Sequence, residues 1–400
     1  MKVYSYRWIV LSVFALITAA IEIQWLTFAP IAREARTFYN ATALQIDLLS
    51  LLFMAVFALV CIPASFVLDT FGIRVGIGIG AILTGLFGLV KGFWGDSYSM
   101  VVIAQIMLAV GQPFILNAAT KVAGLWFPIQ ERATAVGFAT LAQFVGIIIV
   151  MIATPMMLRQ TAEGIYNIPN ILLTYGIISA IGALLLLIFL REGPPTPPGE
   201  SVHREKVLAV EGFKQIIKQR DMKLVLVMFF IGLGLFNAVS TVIDQICQIK
   251  GLTVDQTGLV GGIMLIAGIV GALILPPLSD KWRKRKLFVF IAMAGMAPGL
   301  VGLTIFTDYT LLLISSFILG FFLLGAGAPV GFQYAAEITH PAPESTSQGL
   351  LLLVGQISGI LFILGMNAFG MIESLYVFVG MGIVTIVLSL MLRESKMIRT

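Results

Sequence analysis

Twelve apolar runs, each near or above the roughly 20 residues that carry a helix across a hydrocarbon core, leave few folds open to this chain. They cover residues 8–31, 44–68, 75–94, 100–126, 133–158, 168–190, 223–247, 257–278, 287–306, 311–334, 349–369 and 375–392. Lipid offers no partner to a backbone N–H or C=O, so runs of this length must satisfy their own backbone as helices. The expected fold is an all-α membrane protein with twelve transmembrane helices. Composition agrees: of 400 residues, 59% are hydrophobic and 11% charged, against about 25% charged in soluble domains. The start imitates a signal peptide, but its apolar stretch is too long and carries Glu22, Gln24 and Trp25, so a retained first helix is expected. Cys61 and Cys247 are the only cysteines and both lie in apolar runs, which excludes a disulfide framework and a Cys-rich metal site.

Basic residues give the orientation. Counted by alternating sides, 20 of the 25 Lys and Arg fall on the side holding both termini and 5 on the other. The positive-inside rule then places both termini in the cytoplasm of an integral multi-pass plasma membrane, with a prokaryotic inner membrane as the expected setting. These bases sit in short interhelical segments and read as topology signals, so the net charge of +5 does not point to nucleic acid. The organisation read from this pattern is a six-helix bundle over 1–192, a cytoplasmic linker over 193–222 and a second six-helix bundle over 223–400. The linker begins with four prolines between Arg191 and Gly199, which suit an extended spacer. From Glu205 to Lys218 apolar residues recur at helical spacing among Lys and Glu, as in a helix lying on the inner membrane surface; a solvated basic linker is the alternative.

The halves repeat. Asp69 and Arg74 fall on Asp280 and Arg285 at an offset of 211, and Gln143 with Gly146 falls on Gln356 with Gly359 at 213. Matches on equivalent loops of a six-plus-six chain indicate duplicated halves. PASFVLDTFGIR, Pro63 to Arg74, resembles the loop signature of the major facilitator superfamily; Ser65 stands where Gly is usual. The second copy, LSDKWRKRK from Leu278 to Lys286, keeps the acid and the bases and lacks the Gly. The resemblance implies two pseudo-symmetric six-helix bundles. It also implies a gate in which Asp69, Arg74, Asp280 and Arg285 latch one conformation from the cytoplasmic ends of their helices; charges that merely obey topology are the alternative.

Pro329 to Leu351, PVGFQYAAEITHPAPESTSQGLL, is similar to the signature of the feline leukaemia virus subgroup C receptor family, solute carrier family 49. Gln24-Trp25, Ile46-Asp47 with Leu49-Ser50, and Trp126-Phe127 with Glu131 and Thr134 add to the match. Membership implies a facilitator or coupled carrier of choline-like or ethanolamine-like amines, with haem export as an older proposal. By this resemblance Trp25 is a cation-cage residue and Gln112 and Gln356 are pocket amides. Asn237 departs from the pattern, standing where the family has a Tyr, so the cage implied here has one aromatic fewer and one hydrogen-bonding amide more.

Polar residues deep in spans are costly and usually face a cavity. Glu22 is the deepest ionisable side chain, and most other acids and bases, Lys91 among them, sit at span ends. Without a central Arg or Lys, an anion pocket is disfavoured. Trp25 follows Glu22 by three residues, so both share a face about one turn apart, and a carboxylate beside an aromatic suits an ammonium ion. A Trp near a span end also serves as an interfacial anchor, and a buried Glu can simply stay protonated. Asn237, Ser240, Thr241, Asp244 and Gln248 form a polar stripe on the seventh span, read as facing a water-filled path. Gln143 either lines the same cavity or bonds to a neighbouring helix. The glycines of the third and eighth spans read as close helix contacts, since no Lys-Ser/Thr pair follows them as a phosphate loop requires. His203 and His340 lie in loops, which weakens a haem or metal reading. Asn40-Ala41-Thr42 matches a glycosylation acceptor and also a turn opening the second helix.

The expected function is therefore a secondary transporter of a small solute, a choline-like or other cationic amine, working by alternating access around a midplane site. The site residues are Glu22, Trp25, Gln112, Gln143, Asn237 and Gln356. No catalytic group, metal or bound cofactor is expected; Glu22 either pairs with the substrate ammonium or carries a coupling proton. The partners are a small-molecule substrate and the bilayer, and the chain is expected to act as a monomer. A proton-coupled exporter of lipophilic drugs or an organic-anion (monocarboxylate) carrier is the alternative, and a membrane enzyme lacks its paired acids or Ser/His set.

Overall fold

A threonine opens the second span of each half in the same way. Thr42 Oγ1 accepts from Gln45 N at 3.2 Å while Thr42 N donates to Gln45 Oε1 at 2.8 Å; Thr253 and Gln256 repeat this at 3.4 and 3.0 Å. Each box satisfies two of the N–H groups that a helix start leaves without partners. Each begins a helix of 29 residues, and the two starts are related by the offset of 211.

The computed structural model describes residues 4–128, 131–160, 164–196, 216, 218–339 and 344–395. The chain divides into two compact units, Met1–His203 and Arg204–Thr400. Within the first are α1 (Tyr6–Leu26), α2 (Ala32–Tyr39), α3 (Ala43–Phe71), α4 (Ile73–Phe93), α5 (Tyr98–Leu116), α6 (Ala119–Trp126), α7 (Arg132–Met157) and α8 (Ile168–Phe189). The second holds α9 (Arg220–Thr241), α10 (Ile243–Ile249), α11 (Val254–Trp282), α12 (Arg285–Ile305), α13 (Tyr309–Phe322), α14 (Ala328–Thr339), α15 (Glu344–Phe369) and α16 (Met371–Met391). Among the described residues twelve helical stretches, six in each unit, are long and apolar enough to cross a membrane. His203, His340 and most of the amphipathic segment expected over 205–218 lie outside the described residues.

Four of the spans read as continuous are interrupted. Pro30 has no N–H to give Leu26, so α1 stops at Leu26 and passes through a 3-10 turn, Ala29–Ile31, into α2. Asn40 then takes a left-handed conformation, φ 49°, as the C-cap of α2, two residues before the Thr42 box. The fourth span breaks at Asn117, whose Nδ2 donates to Cys61 O at 3.2 Å and Ser65 Oγ at 3.1 Å on α3. The seventh breaks at Val242, between α9 and α10. The tenth crosses a π turn, Leu323–Gly327, between α13 and α14. Periodicity could not register these breaks, because each keeps the chain apolar and nearly helical.

Small residues set the helix contacts in both units. A methyl at Gly80 would meet Gly111 O at 2.9 Å, and one at Gly85 would meet the Ala183 methyl at 2.8 Å. In the second unit a methyl at Gly268 would meet Leu324 Cβ at 2.8 Å, and one at Gly320 would overlap Met264 O. The glycines thus let α4 approach α5 and α8, and α11 approach α13.

One further device repeats and corrects the register of the halves. Glu192, past the end of α8, accepts from Ile73 N at 3.0 Å and Arg74 N at 2.8 Å, capping α4. Glu394, past the end of α16, accepts from Arg285 N at 2.7 Å and Lys286 N at 3.1 Å, capping α12. Both carboxylates lie in the same tripeptide, Leu190-Arg191-Glu192 and Leu392-Arg393-Glu394, and each places negative charge at a helix N-terminus. The structural equivalent of Arg74 is therefore Lys286, not Arg285. The turn before α12 is one residue longer than the one before α4, with Arg283 in the left-handed region at φ 52°. In the shorter turn Gly72, at φ 89°, leaves the Glu192 carboxylate room that a Cβ would occupy.

Candidate functional site

Three polar or aromatic side chains cluster on the last two turns of α1. Glu22, Gln24 and Trp25 are all buried, and each is directed to a different neighbour. Glu22 Oε1 accepts from Gln112 Nε2 on α5 at 3.4 Å. Gln24 Nε2 donates to Ser179 Oγ on α8 at 3.0 Å. Trp25 Nε1 donates to Ser50 O on α3 at 3.2 Å, and Ser50 Oγ donates back to Trp25 O at 3.4 Å. Gln24 thus turns to α8, away from Glu22 and Trp25, whose partners sit on the packed pair α3 and α5. Two residues carried over by resemblance, Trp25 and Gln112, thus lie beside the residue singled out by burial cost, Glu22. The indole N–H is thus spent on a backbone carbonyl, so any contact of this side chain with a ligand would be made by the ring.

A basic residue at the end of the third span lies at the same place. Lys91, in the last turn of α4, is fully buried. Its Nζ donates to Gln24 O at 3.1 Å, Thr27 Oγ1 at 3.4 Å and Gln105 Oε1 at 3.1 Å, and sits 5.4 Å from the centre of the Phe28 ring. Pro30 supplies the signal that could have found it, since a helix stopped by proline leaves carbonyls to be satisfied.

The remaining site residues of the first unit are less engaged. Gln143 is half-buried on α7. In the second unit Asn237, on α9, is 7% exposed and its Nδ2 donates to Gly355 O on α15 at 3.2 Å. Gln356 is the next residue, and its Oε1 is buried with no hydrogen-bond partner, so Asn237 and Gln356 share one helix contact. Along the stripe, Ser240, Thr241 and Asp244 are buried and Gln248 is exposed, because the break at Val242 redirects the chain. Ser240 Oγ and Thr241 Oγ1 also have no hydrogen-bond partner.

The four gating residues divide unevenly. The backbone of Asp69 belongs to α3, but its side chain is outside the described set; the Arg74 side chain is exposed. Arg285 is buried and pairs with Asp280 on α11 and, through Nε at 3.0 Å, with Glu337 on α14; its Nη1 also donates to Ser279 Oγ at 3.1 Å. Glu337 was not among the residues expected at the gate. It joins because the last turns of α14 lie beside the start of α12. The register difference explains the asymmetry: the position equivalent to Arg285 is Ile73, which has no charge to pair.

Comparison with known proteins places these features in a family context. The family model described as Major Facilitator Superfamily matches residues 10–362. Solute carrier family 49 member A3 of Danio rerio is 30% identical over 92% of this chain and 79% of its own length. The choline/ethanolamine transporter FLVCR1 of Felis catus is 30% identical over 90% of this chain and 67% of its own. Among solved structures, a bacterial homologue of the human lysosomal transporter Spinster aligns with a TM-score of 0.77 at 16% identity, covering 98% of this chain and 97% of that one. A D-xylose–proton symporter aligns at 0.76 and 17% identity, covering 98% and 99%. These structural likenesses speak for the fold alone.

Proposed function

Because the chain belongs to the major facilitator superfamily and, within it, to solute carrier family 49, we propose that this integral membrane transporter moves a small cationic amine of the choline or ethanolamine class by alternating access of its two halves. The observation that carries the reading is the buried Glu22–Gln112 contact beside Trp25, in a chain similar to choline/ethanolamine transporters. In the first unit Glu22 supplies charge or a coupling proton, Trp25 a π face and Gln112 and Gln143 amide groups; in the second unit Asn237 and Gln356 are the amides offered to substrate. The orphaned Gln356 Oε1 is suited to a donor on the substrate, such as the ammonium of ethanolamine or the hydroxyl of either amine.

An organic-anion carrier would need a free base at the site. Lys91 is the base closest in the hydrogen-bond pattern, and its three donors already meet three acceptors. That favours the amine reading over the anion alternative. A thermal-shift panel on the purified protein should show stabilisation by choline or ethanolamine and none by monocarboxylates or lipophilic drugs. Stabilisation by carboxylates alone would reverse the assignment.

In the orientation we propose, both termini and the linker face the cytoplasm, as do Asp69, Arg74, Asp280 and Arg285, which act as the gate. Single cysteines introduced at Asp96 and Ser201 should react with an impermeant thiol reagent in intact cells only at Asp96. For the gate, Asp280→Asn is expected to raise the inward-open population by loosening Arg285. Spin-label distances across the cytoplasmic ends that do not change would remove that role.

A further inference from the structure

We propose that Lys91 is a positioning residue for the substrate site, holding the broken end of α1 so that the Trp25 ring keeps a fixed orientation. The inference rests on the reading that Trp25 faces substrate, but its structural half can be tested without substrate. Its basis is a closed set of buried hydrogen bonds around the end of α1. Lys91 grips Gln24 O and Thr27 Oγ1, the residues on either side of the Trp25-Leu26 pair. Its third donor goes to Gln105 Oε1, and Gln105 Nε2 donates to Leu49 O at 2.9 Å. Leu49 precedes Ser50, the residue that receives the indole N–H. One amine therefore ties α1, α4, α5 and α3 together around the Trp25 side chain.

The physical reason for a lysine here lies in the helix end. Pro30 stops α1, and the residues of its last turn, whose carbonyls lose their helical partners there, are buried. An ammonium has three donors to offer and suits the negative end of a helix. The Phe28 ring, 5.4 Å away, contributes a further favourable contact with the charge. A methionine of similar length would fill the space and take a donor away from Thr27 Oγ1 and Gln105 Oε1, leaving Gln24 O the Thr27 hydroxyl alone among side-chain donors. The end of α1, and with it Trp25, would then be free to rotate toward other partners.

The test uses the full-length protein labelled with 5-fluorotryptophan, with the Trp25 resonance assigned by Trp25→Phe. Lys91→Met should displace or broaden the Trp25 signal and leave those of Trp8 and Trp126 in place. It should also weaken choline binding about tenfold, within the range for residues of one network. Combined with Trp25→Ala it should weaken binding no further than Trp25→Ala alone. An unmoved Trp25 resonance, or losses that add in the double variant, would overturn the positioning role. A displaced resonance in a protein that binds no amine even as wild type would uphold the positioning role and reject the proposed substrate. Should Lys91→Met fail to accumulate, Gln105→Met breaks the same set one bond later while leaving the amine two acceptors, and the same readouts decide.

Discussion

Glu22→Gln is expected to weaken choline binding by about 30-fold or more if Glu22 pairs with the substrate ammonium. That figure corresponds to about 2 kcal/mol, the lower end for losing one partner of a buried charge pair. The variant keeps the side chain's shape and can keep the contact with Gln112, so the loss reports charge rather than packing. The pH dependence follows the same logic. In the wild type, lowering pH protonates Glu22 and removes the carboxylate from the cation, so affinity falls as pH falls. In Glu22→Gln, affinity should be low and independent of pH over that window. If Glu22 instead carries a coupling proton, the variant keeps choline exchange and loses accumulation driven by a pH gradient. Equilibrium binding and gradient-driven uptake, measured together, separate the roles. A variant that retains wild-type affinity and pH-driven uptake would make Glu22 a packed, protonated side chain.

Gly320→Leu is expected to leave almost no folded protein, and Gly320→Ala to lower stability by about 3 kcal/mol or more. A methyl at Gly320 would overlap the Met264 carbonyl and lie within 2.9 Å of Met264 Cα, both backbone atoms of α11 that no rotamer change can move. Relief requires α11 and α13 to separate, which would also disturb the π turn that follows α13. Gly380→Ala is the matched control, since nothing lies within 4 Å of the added methyl. Size-exclusion profiles and melting temperatures of the three variants in one detergent give the comparison. A monodisperse Gly320→Leu with an unchanged melting temperature would show that the two helices are not in this contact.

The spans were legible because a bilayer imposes length and apolarity on every helix that crosses it. The breaks within them were not. Pro30 can lie at a span end or interrupt a helix, and only the buried Lys91 at the cut reveals which. The identity of Lys91 was plain in the sequence, but its inward direction depends on α1 ending one turn early, a tertiary fact. The repeat was visible at Asp69 and Asp280, yet it slipped by one residue at Arg285, since counting offsets cannot see a left-handed Arg283. The paired carboxylates Glu192 and Glu394 sit 202 residues apart, outside the offset of the other matches, because the segments preceding them differ in length. Burial cost pointed to Glu22 and family resemblance to Trp25 and Gln112. The structure adds the contact between the first and the last of these.

Counterflow in proteoliposomes tests the central claim most directly. Purified protein, reconstituted into vesicles loaded with unlabelled choline, should accumulate external radiolabelled choline transiently, with saturation and competition by ethanolamine. Trp25→Ala should bind choline about 5- to 30-fold more weakly, reflecting loss of a desolvated cation–π contact of about 1 to 2 kcal/mol, and should require correspondingly more choline to saturate. No counterflow of choline or ethanolamine by protein that is folded and correctly inserted, with counterflow of a carboxylate or a lipophilic drug in its place, would contradict the account.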